Sequence, residues 1–234
     1  QKFLYPYNIN TGVYSQMSDA NVISPVIEKI SLKNDKVISS TLLSYKKSDT
    51  NFVPHQNSIT ELNIPFSYSG FTNFNGSAKD IHYSSDPEIT YDLYDDYGNP
   101  TQITSKGKAT VCYIWGYDKK YPIAKIENAT YTAGQTNSIT AAQQILINNA
   151  VIASANENTQ TSETALIAKL KLLREGFPNS IVTTYTYDPL IGITSVTDPK
   201  EYTTYYEYDT YGRLKQVKDN DQKILSANKY NYTN

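Results

Sequence analysis

The chain is 234 residues long, which is enough for one large all-β domain or two small ones. Its 21 basic and 23 acidic side chains give a net charge of −2 with no long run of either sign, which argues against a nucleic-acid-binding surface or a polybasic membrane patch. No apolar run reaches the roughly 18 residues of a membrane-spanning helix, so we predict no membrane span.

The first section, residues 1–80, is predicted to consist of β-hairpins and loops. Residues 3–7 alternate in the manner of a strand, and Pro6 makes it an edge strand because proline gives a ladder no amide hydrogen. Residues 11–21 are polar and predict a loop. Residues 33–36 read Lys-Asn-Asp-Lys between two β-like segments, and Asn and Asp tolerate the positive φ of a hairpin turn.

A segment rich in Gly, Asn and Ser closes this section at residues 69–80. Such composition is typical of a loop. We therefore predict that Phe71 and Phe74 are exposed there and form a contact patch.

The second section, residues 81–134, contains the next β segments. Residues 111–117 and 121–131 are predicted to pair as two strands. Cys112 is the single cysteine and alternates with the residues around it, which indicates an inert strand position and excludes an internal disulfide. His55 and His82 are the only histidines and have polar neighbours, so we predict hydrogen-bonded or surface histidines rather than catalytic or metal-binding ones, and no cofactor.

The third section, residues 135–178, changes to helix-forming residues without tyrosine and predicts an inserted helical hairpin. The first helix should begin after Ser138, and the second should be capped by Ser162 and end at Gly176. Because β texture resumes at Ile181, the two ends of the insertion should lie close together. The second helix carries an apolar stripe that should pack on the first helix or on the sheet: Leu166, Leu170 and Leu173.

The fourth section, residues 179–234, contains two copies of one short sequence pattern, and a third copy lies upstream. In each copy a Tyr-Asp pair ends a predicted strand and a glycine follows within the turn. Asp can bond the backbone ahead of it and Gly can take positive φ, so each copy predicts a β-hairpin with an aromatic face. The copies contain Tyr94, Asp95 and Gly98; Tyr187, Asp188 and Gly192; and Tyr208, Asp209 and Gly212.

This pattern resembles the YD repeat of the RHS family, large bacterial surface and secreted proteins whose tandem hairpins build a hollow shell. Residues 111–131 and 206–219 also resemble the C-terminal region of RHS-like proteins from Bacteroidota. The resemblance implies a mainly β fold, in which antiparallel YD-repeat hairpins form a curved or spiralling sheet as one continuous domain with an inserted helical hairpin.

The resemblance also implies a location and a partner. We expect export to the cell surface or beyond, at the exterior of the bacterial outer membrane, with type IX secretion as the route. The expected partner is another β segment of the parent RHS-like protein or a surface protein complex. Unpaired edges are expected near residues 3–7 and 229–232, with Tyr230 and Tyr232 as contact residues.

Two further functions stay open beside this scaffold role. Asp188-Pro189 is similar to a signature near the self-cleavage site of some RHS proteins, where paired aspartates act together, and Asp198 is the candidate second carboxylate. Turn formation explains both aspartates better, and no nucleophile–base set or phosphate loop is present, so we predict a non-catalytic protein. The other alternative is a tyrosine-rich module that binds glycan. It should leave several rings exposed in one concave patch, whereas a shell buries rings in regular rows.

Overall fold

The computed structural model describes residues 1–157 and 159–230. Within them the protein is mainly β, with fourteen antiparallel strands and three α-helices. The chain divides into two compact units, Gln1–Ala109 and Thr110–Asn234. The boundary falls inside the section 81–134 that the sequence treats as one β region.

The N-terminal unit is an antiparallel sheet with one short helix, α1 (Gly12–Asp19), and two 3₁₀ turns, Pro6–Asn8 and Tyr68–Gly70. Its strands are β1 (Lys2–Leu4), β2 (Glu28–Lys33), β3 (Lys36–Ser48), β4 (Asn51–Ile59), β5 (Phe66–Ser67), β6 (Ile89–Tyr94) and β7 (Pro100–Ser105). Their spatial order is β1-β2-β3-β4-β6-β7, and β5 pairs with the start of β3.

Local turn chemistry explains the β2–β3 hairpin. Asn34 and Asp35 have φ of 50° and 56°, the positive values that the sequence predicts for this turn. The polar segment 11–21, in contrast, is not a loop. It forms the helix α1, in which Tyr14 and Met17, three residues apart, are both fully buried in the core of this unit. Burial of these two side chains stabilises the helix despite the polar composition of the segment.

The predicted exposure of Phe71 and Phe74 is wrong. Their side chains are only 8% and 6% exposed and belong to the same core. The ring of Phe74 packs edge-on against Tyr14, and that of Phe71 packs edge-on against Tyr83. The loop is therefore held inward by two aromatic anchors, which its Gly- and Asn-rich composition does not reveal.

The C-terminal unit is an antiparallel meander with a helical hairpin inserted between its second and third strands. The strands are adjacent in chain order: β8 (Val111–Gly116), β9 (Tyr121–Glu127), β10 (Ile181–Asp188), β11 (Gly192–Thr197), β12 (Thr203–Tyr208), β13 (Leu214–Lys218) and β14 (Ile224–Ala227). The helices are α2 (Ala141–Ala155) and α3 (Gln160–Glu175).

The two ends of the helical insertion are neighbours, as predicted. Glu127 at the end of β9 pairs with Ile181 at the start of β10. A capping box at Thr140 starts α2. The cap of α3 is Thr159 and not Ser162, which instead occupies the third helical position and donates its amide to the Thr159 hydroxyl at 3.2 Å. The sequence prediction therefore placed this helix start three residues late.

The leucine stripe of α3 is part of the main core of this unit. Leu166, Leu170 and Leu173 are at most 3% exposed and cluster with sheet residues that include Cys112, Ile126 and Val182. The predicted packing of the stripe is confirmed. The helical hairpin thus covers one face of the β8–β10 region and contributes to the hydrophobic core of this unit.

Candidate interaction surface

Four turns of the described residues share one hydrogen-bond pattern. In each, the aspartate Oδ1 accepts the amides two and four residues ahead, at 2.8–3.0 Å. The aspartate amide also donates to the carbonyl four residues ahead, and its carbonyl accepts the amide three residues ahead. The aspartate side chain therefore stabilises the backbone of the whole turn. The four aspartates are Asp95, Asp198, Asp209 and Asp219.

The fourth position of this turn takes positive φ in every copy. Gly98 and Gly212 have φ of 82° and 70°, as predicted from their place in the pattern. Glu201 and Gln222 occupy the same position with φ of 69° and 64°. Two of the four turns therefore lack the glycine by which the other two are recognised in the sequence, and the spacing of their aspartates is the remaining signal.

Asp188 does not belong to this set. Its turn has the same length, and the Ile191 amide still donates to the Asp188 carbonyl, but the positive φ of 77° falls at Leu190, two residues ahead instead of three, and within the described residues the Asp188 side chain makes none of the turn bonds. The glycine of this copy also has a different task. A Cβ on Gly192 would lie 2.6 Å from the hydroxyl oxygen of Tyr208, so the glycine is required by the close approach of that ring.

A tyrosine precedes Asp95, Asp188 and Asp209, and each of these tyrosines binds the neighbouring, preceding strand. The hydroxyls of Tyr94, Tyr187 and Tyr208 each donate to a backbone carbonyl of that strand. The acceptors are Pro54 at 2.6 Å, Pro122 at 3.0 Å and Ile193 at 3.0 Å. Each motif therefore joins a turn to a tyrosine clamp, in which a ring lies across one strand and its hydroxyl is satisfied there. The sequence indicates the rings but not their acceptors.

The two carboxylates proposed as a catalytic pair do not meet. Asp188 precedes β11 and Asp198 follows it, and six strand residues separate their ends by about 20 Å. The Asp188 side chain instead borders a shallow depression with Glu157 and Glu163. Burial and the nearby Glu163 charge raise the pKa of Glu157. No cluster of His, Cys, Asp and Glu in the described residues has an arrangement that could hold a metal ion.

The face of the C-terminal sheet opposite the helices carries a row of half-buried side chains. Strand alternation places Tyr113, Tyr185 and Tyr206 on this face, together with Val196 and Val217. Burial raises the pKa of Tyr185, which also senses the charge of the neighbouring Lys125. The rings lie in a row along the sheet and each is only partly exposed.

The outer edge of this sheet is β14. Every residue of this strand is exposed, Ile224 at 58% and Leu225 at 62%, and β13 is its only strand neighbour among the described residues. The amide of Asn228 donates to the carbonyl of Lys215, so by the alternation of an antiparallel ladder the amide of Ala227 points away from β13. In the part of the chain that the structure describes, no strand pairs with this outward side of β14, which is therefore open to another strand.

The predicted edge at residues 229–232 falls partly outside the described residues, and its described part is not a strand. Tyr230 is not in a strand but folds back onto β13, where its hydroxyl donates to the carbonyl of Leu214 at 3.0 Å and the Arg213 guanidinium lies 4.2 Å from its ring centre. Tyr232 is outside the described residues. The edge is therefore β14, and Tyr230 is 42% exposed beside it.

The histidines are hydrogen-bonded or half-buried. His82 Nδ1 lies 2.6 Å from Asp80 Oδ1, and its ring stacks on Phe66. Burial alone would raise the pKa of Asp80, but hydrogen bonds from the Thr72 amide and from His82 lower it. Burial lowers the pKa of His55. Both environments fit structural histidines.

Comparison with known proteins assigns no family, because no protein-family model and no curated protein matches the chain. None of the helices in residues 1–157 and 159–230 has the length and apolar character needed to cross a membrane.

Proposed function

We propose that this chain is a non-catalytic structural and interaction segment of a secreted or cell-surface protein of the RHS type. Its C-terminal sheet pairs through β14 with a further β segment, either of its own parent protein or of a partner in a surface complex. The single observation that carries the proposal is the outer backbone edge of β14, which pairs with no further strand among residues 1–157 and 159–230 and whose side chains are also exposed.

The recurring turn supports a sheet that is built by addition of strands. The same aspartate turn connects β11 to β12, β12 to β13 and β13 to β14. The turn geometry is therefore unchanged up to the last described hairpin of the meander. The tyrosine clamps fix β10 to β9 and β12 to β11. A further strand at β14 would continue this construction, and main-chain hydrogen bonds would supply much of its affinity.

The distribution of rings supports the scaffold role over glycan binding. Tyr113, Tyr185 and Tyr206 lie in a row and are partly covered by their neighbours, which is the arrangement expected of a shell wall. A glycan module should instead gather freely exposed rings at one place. The location follows from the RHS resemblance alone: the exterior of a bacterial outer membrane, reached by type IX secretion.

The proposal is tested by two substitutions at one position of the edge strand. Ala227→Pro removes the outward amide hydrogen without removing a hydrogen bond to β13. Ala227→Val introduces a side chain of similar size to proline but keeps the amide hydrogen. The tagged chain, expressed within its parent protein in the source cells, is cross-linked and purified with its neighbours. We expect the proline variant to lose the cross-link at β14 and the valine variant to keep it. Equal cross-linking by both variants would contradict pairing through this edge.

A further inference from the structure

The loop of residues 71–83, which we call the covering loop, lies against a buried carboxyl group in the core of the N-terminal unit. This group belongs to Glu28 in β2, which is 0% exposed. The Phe74 amide donates to its Oε2 at 3.1 Å, and the Tyr83 hydroxyl lies 2.9 Å from its Oε1. No Lys, Arg or His in the part of the chain that the structure describes forms an ion pair with it. An ionised Glu28 would therefore be a buried charge without a counter-ion, which is costly.

The hydrogen bonds around Glu28 need one more proton than an ionised carboxylate leaves. Glu28 Oε1 contacts the Tyr83 hydroxyl at 2.9 Å, and this hydroxyl contacts that of Ser40. The Ser40 hydroxyl in turn lies 3.1 Å from the carbonyl oxygen of Lys29. Each of these three contacts needs one proton, but the two hydroxyls supply only two. The third comes from a protonated Glu28, whose acid hydroxyl then donates to the Tyr83 oxygen.

The other titratable groups near this site favour the neutral acid. Asp80 of the covering loop is 3% exposed, accepts the His82 amide at 2.9 Å and lies 2.6 Å from His82 Nδ1. Burial alone would raise the pKa of Asp80, but the hydrogen bonds within the covering loop lower it, so Asp80 is charged. Burial raises the pKa of Glu28, and the Asp80 charge raises it further. The phenols of Tyr83 and Tyr14, whose pKa burial also raises, stay neutral where a carboxylic acid titrates.

The covering loop also forms one wall of an open groove of about 680 Å³. Asn73, Phe74 and Asn75 line this wall, and residues of β1 and of the 3₁₀ turn after it line the other. The Phe74 ring is only 6% exposed, because it packs edge-on against Tyr14. The Phe74 amide connects this wall to Glu28, so the state of the carboxyl group acts directly on the groove.

We propose that Glu28 is a pH-sensitive latch: its protonated carboxyl group holds the covering loop closed, and loss of that proton to the solvent opens the loop. The ionised group can only accept hydrogen bonds, so one contact of the row to Lys29 is lost. It also places a second negative charge beside Asp80, and water reaches this charge when the covering loop moves away. The latch lies within the N-terminal unit and does not depend on strand pairing at β14.

The test follows the carboxyl group and the loop separately in the full chain. The ¹³C shift of the Glu28 carboxyl carbon between about pH 4 and 9 should give a midpoint clearly above the ordinary glutamate value of about 4.3. Exchange of the Phe74 amide, corrected for its intrinsic rate, should accelerate about tenfold per pH unit between these two pKa values and level off above the folded one. The Leu43 amide, which bonds to the Ile27 carbonyl within the sheet, should exchange more slowly than Phe74 at every pH.

Glu28→Gln is the matched variant, because its amide group has the shape of the protonated acid and can both donate to Tyr83 and accept from Phe74. It should fold and show no pH dependence of the corrected Phe74 exchange. His82→Gln removes the histidine beside Asp80 and should keep that dependence. The proposal is overturned if the Glu28 midpoint is ordinary, if Glu28→Gln fails to fold or keeps the pH dependence, if His82→Gln abolishes it, or if Phe74 and Leu43 exchange equally.

Discussion

Exchanging residue types at the fourth position of two neighbouring turns should change stability in opposite directions. Gly212 has φ of 70°, and a Cβ added there would meet only Ile191 Cγ2 at 3.9 Å, an ordinary contact. Gly212→Ala therefore tests backbone conformation without a steric clash. Gln222 holds the equivalent position of the next turn with φ of 64°, so Gln222→Gly is the reverse experiment.

The size of the effect follows from two opposing terms. A residue with a Cβ costs about 1–2 kcal/mol in the left-handed region. Its smaller conformational freedom in the unfolded chain returns about 0.4–1 kcal/mol. Gly212→Ala should therefore lower the free energy of unfolding by about 0.5–1 kcal/mol, and Gln222→Gly should raise the stability of its hairpin by a similar amount.

Urea unfolding of the full chain measures the first variant. For the second, amide exchange in β13 and β14 is more sensitive, because a hairpin at a sheet edge opens locally before the whole unit unfolds. We expect faster exchange around Gly212→Ala and slower exchange in β14 for Gln222→Gly. Changes of the same sign in both variants would refute the assignment of one shared turn geometry.

Three further outcomes are expected. Burial raises the pKa of Glu28 in the folded protein. Its protonated side chain therefore contributes stability that is fully present below the pKa of glutamate in the unfolded chain and is lost as pH rises through the raised folded pKa. Glu28→Gln should remove this part of the pH dependence of the free energy of unfolding in urea titrations, and an unaltered pH profile would contradict it. Gly116→Ala should cost about 1–3 kcal/mol, because its Cβ would lie 2.6 Å from Ile123 Cγ2 and would also clash with Ser154; a neutral result in thermal melts would disprove this packing. Leu173→Ala should cost about 2–5 kcal/mol by opening a cavity under α3, whereas an unchanged unfolding midpoint would place the helices outside the core.

Local features of the fold could be predicted from the sequence because their causes are local. Asn34 and Asp35 determine a hairpin turn by their own backbone preferences, and Gly98 and Gly212 do the same in the repeat. The leucine stripe of α3 was also predictable, because its spacing alone defines one helix face.

Features that depend on distant partners could not be predicted in the same way. Phe71 and Phe74 are buried because residues far along the chain provide their pockets, and α1 forms for the same reason. The tyrosine clamps need the carbonyl of a neighbouring strand, whose register no single segment contains. Asp188 resembles the other turn aspartates in sequence, but the positive φ of its turn falls one position earlier, at Leu190, and its side chain makes none of the turn hydrogen bonds. The Glu28 carboxyl group likewise finds its hydrogen-bond partners only when the covering loop meets β2 and β3.

Amide hydrogen exchange at Ala227, compared between the isolated chain and the native assembly, tests the central claim most directly. If β14 pairs with a further strand, this amide should exchange rapidly in the isolated chain and become strongly protected in the assembly. The amide of Asn228, which already bonds to Lys215, provides the internal reference. Strong and equal protection of the Ala227 amide in the isolated chain and in the assembly would contradict a role for this edge in pairing.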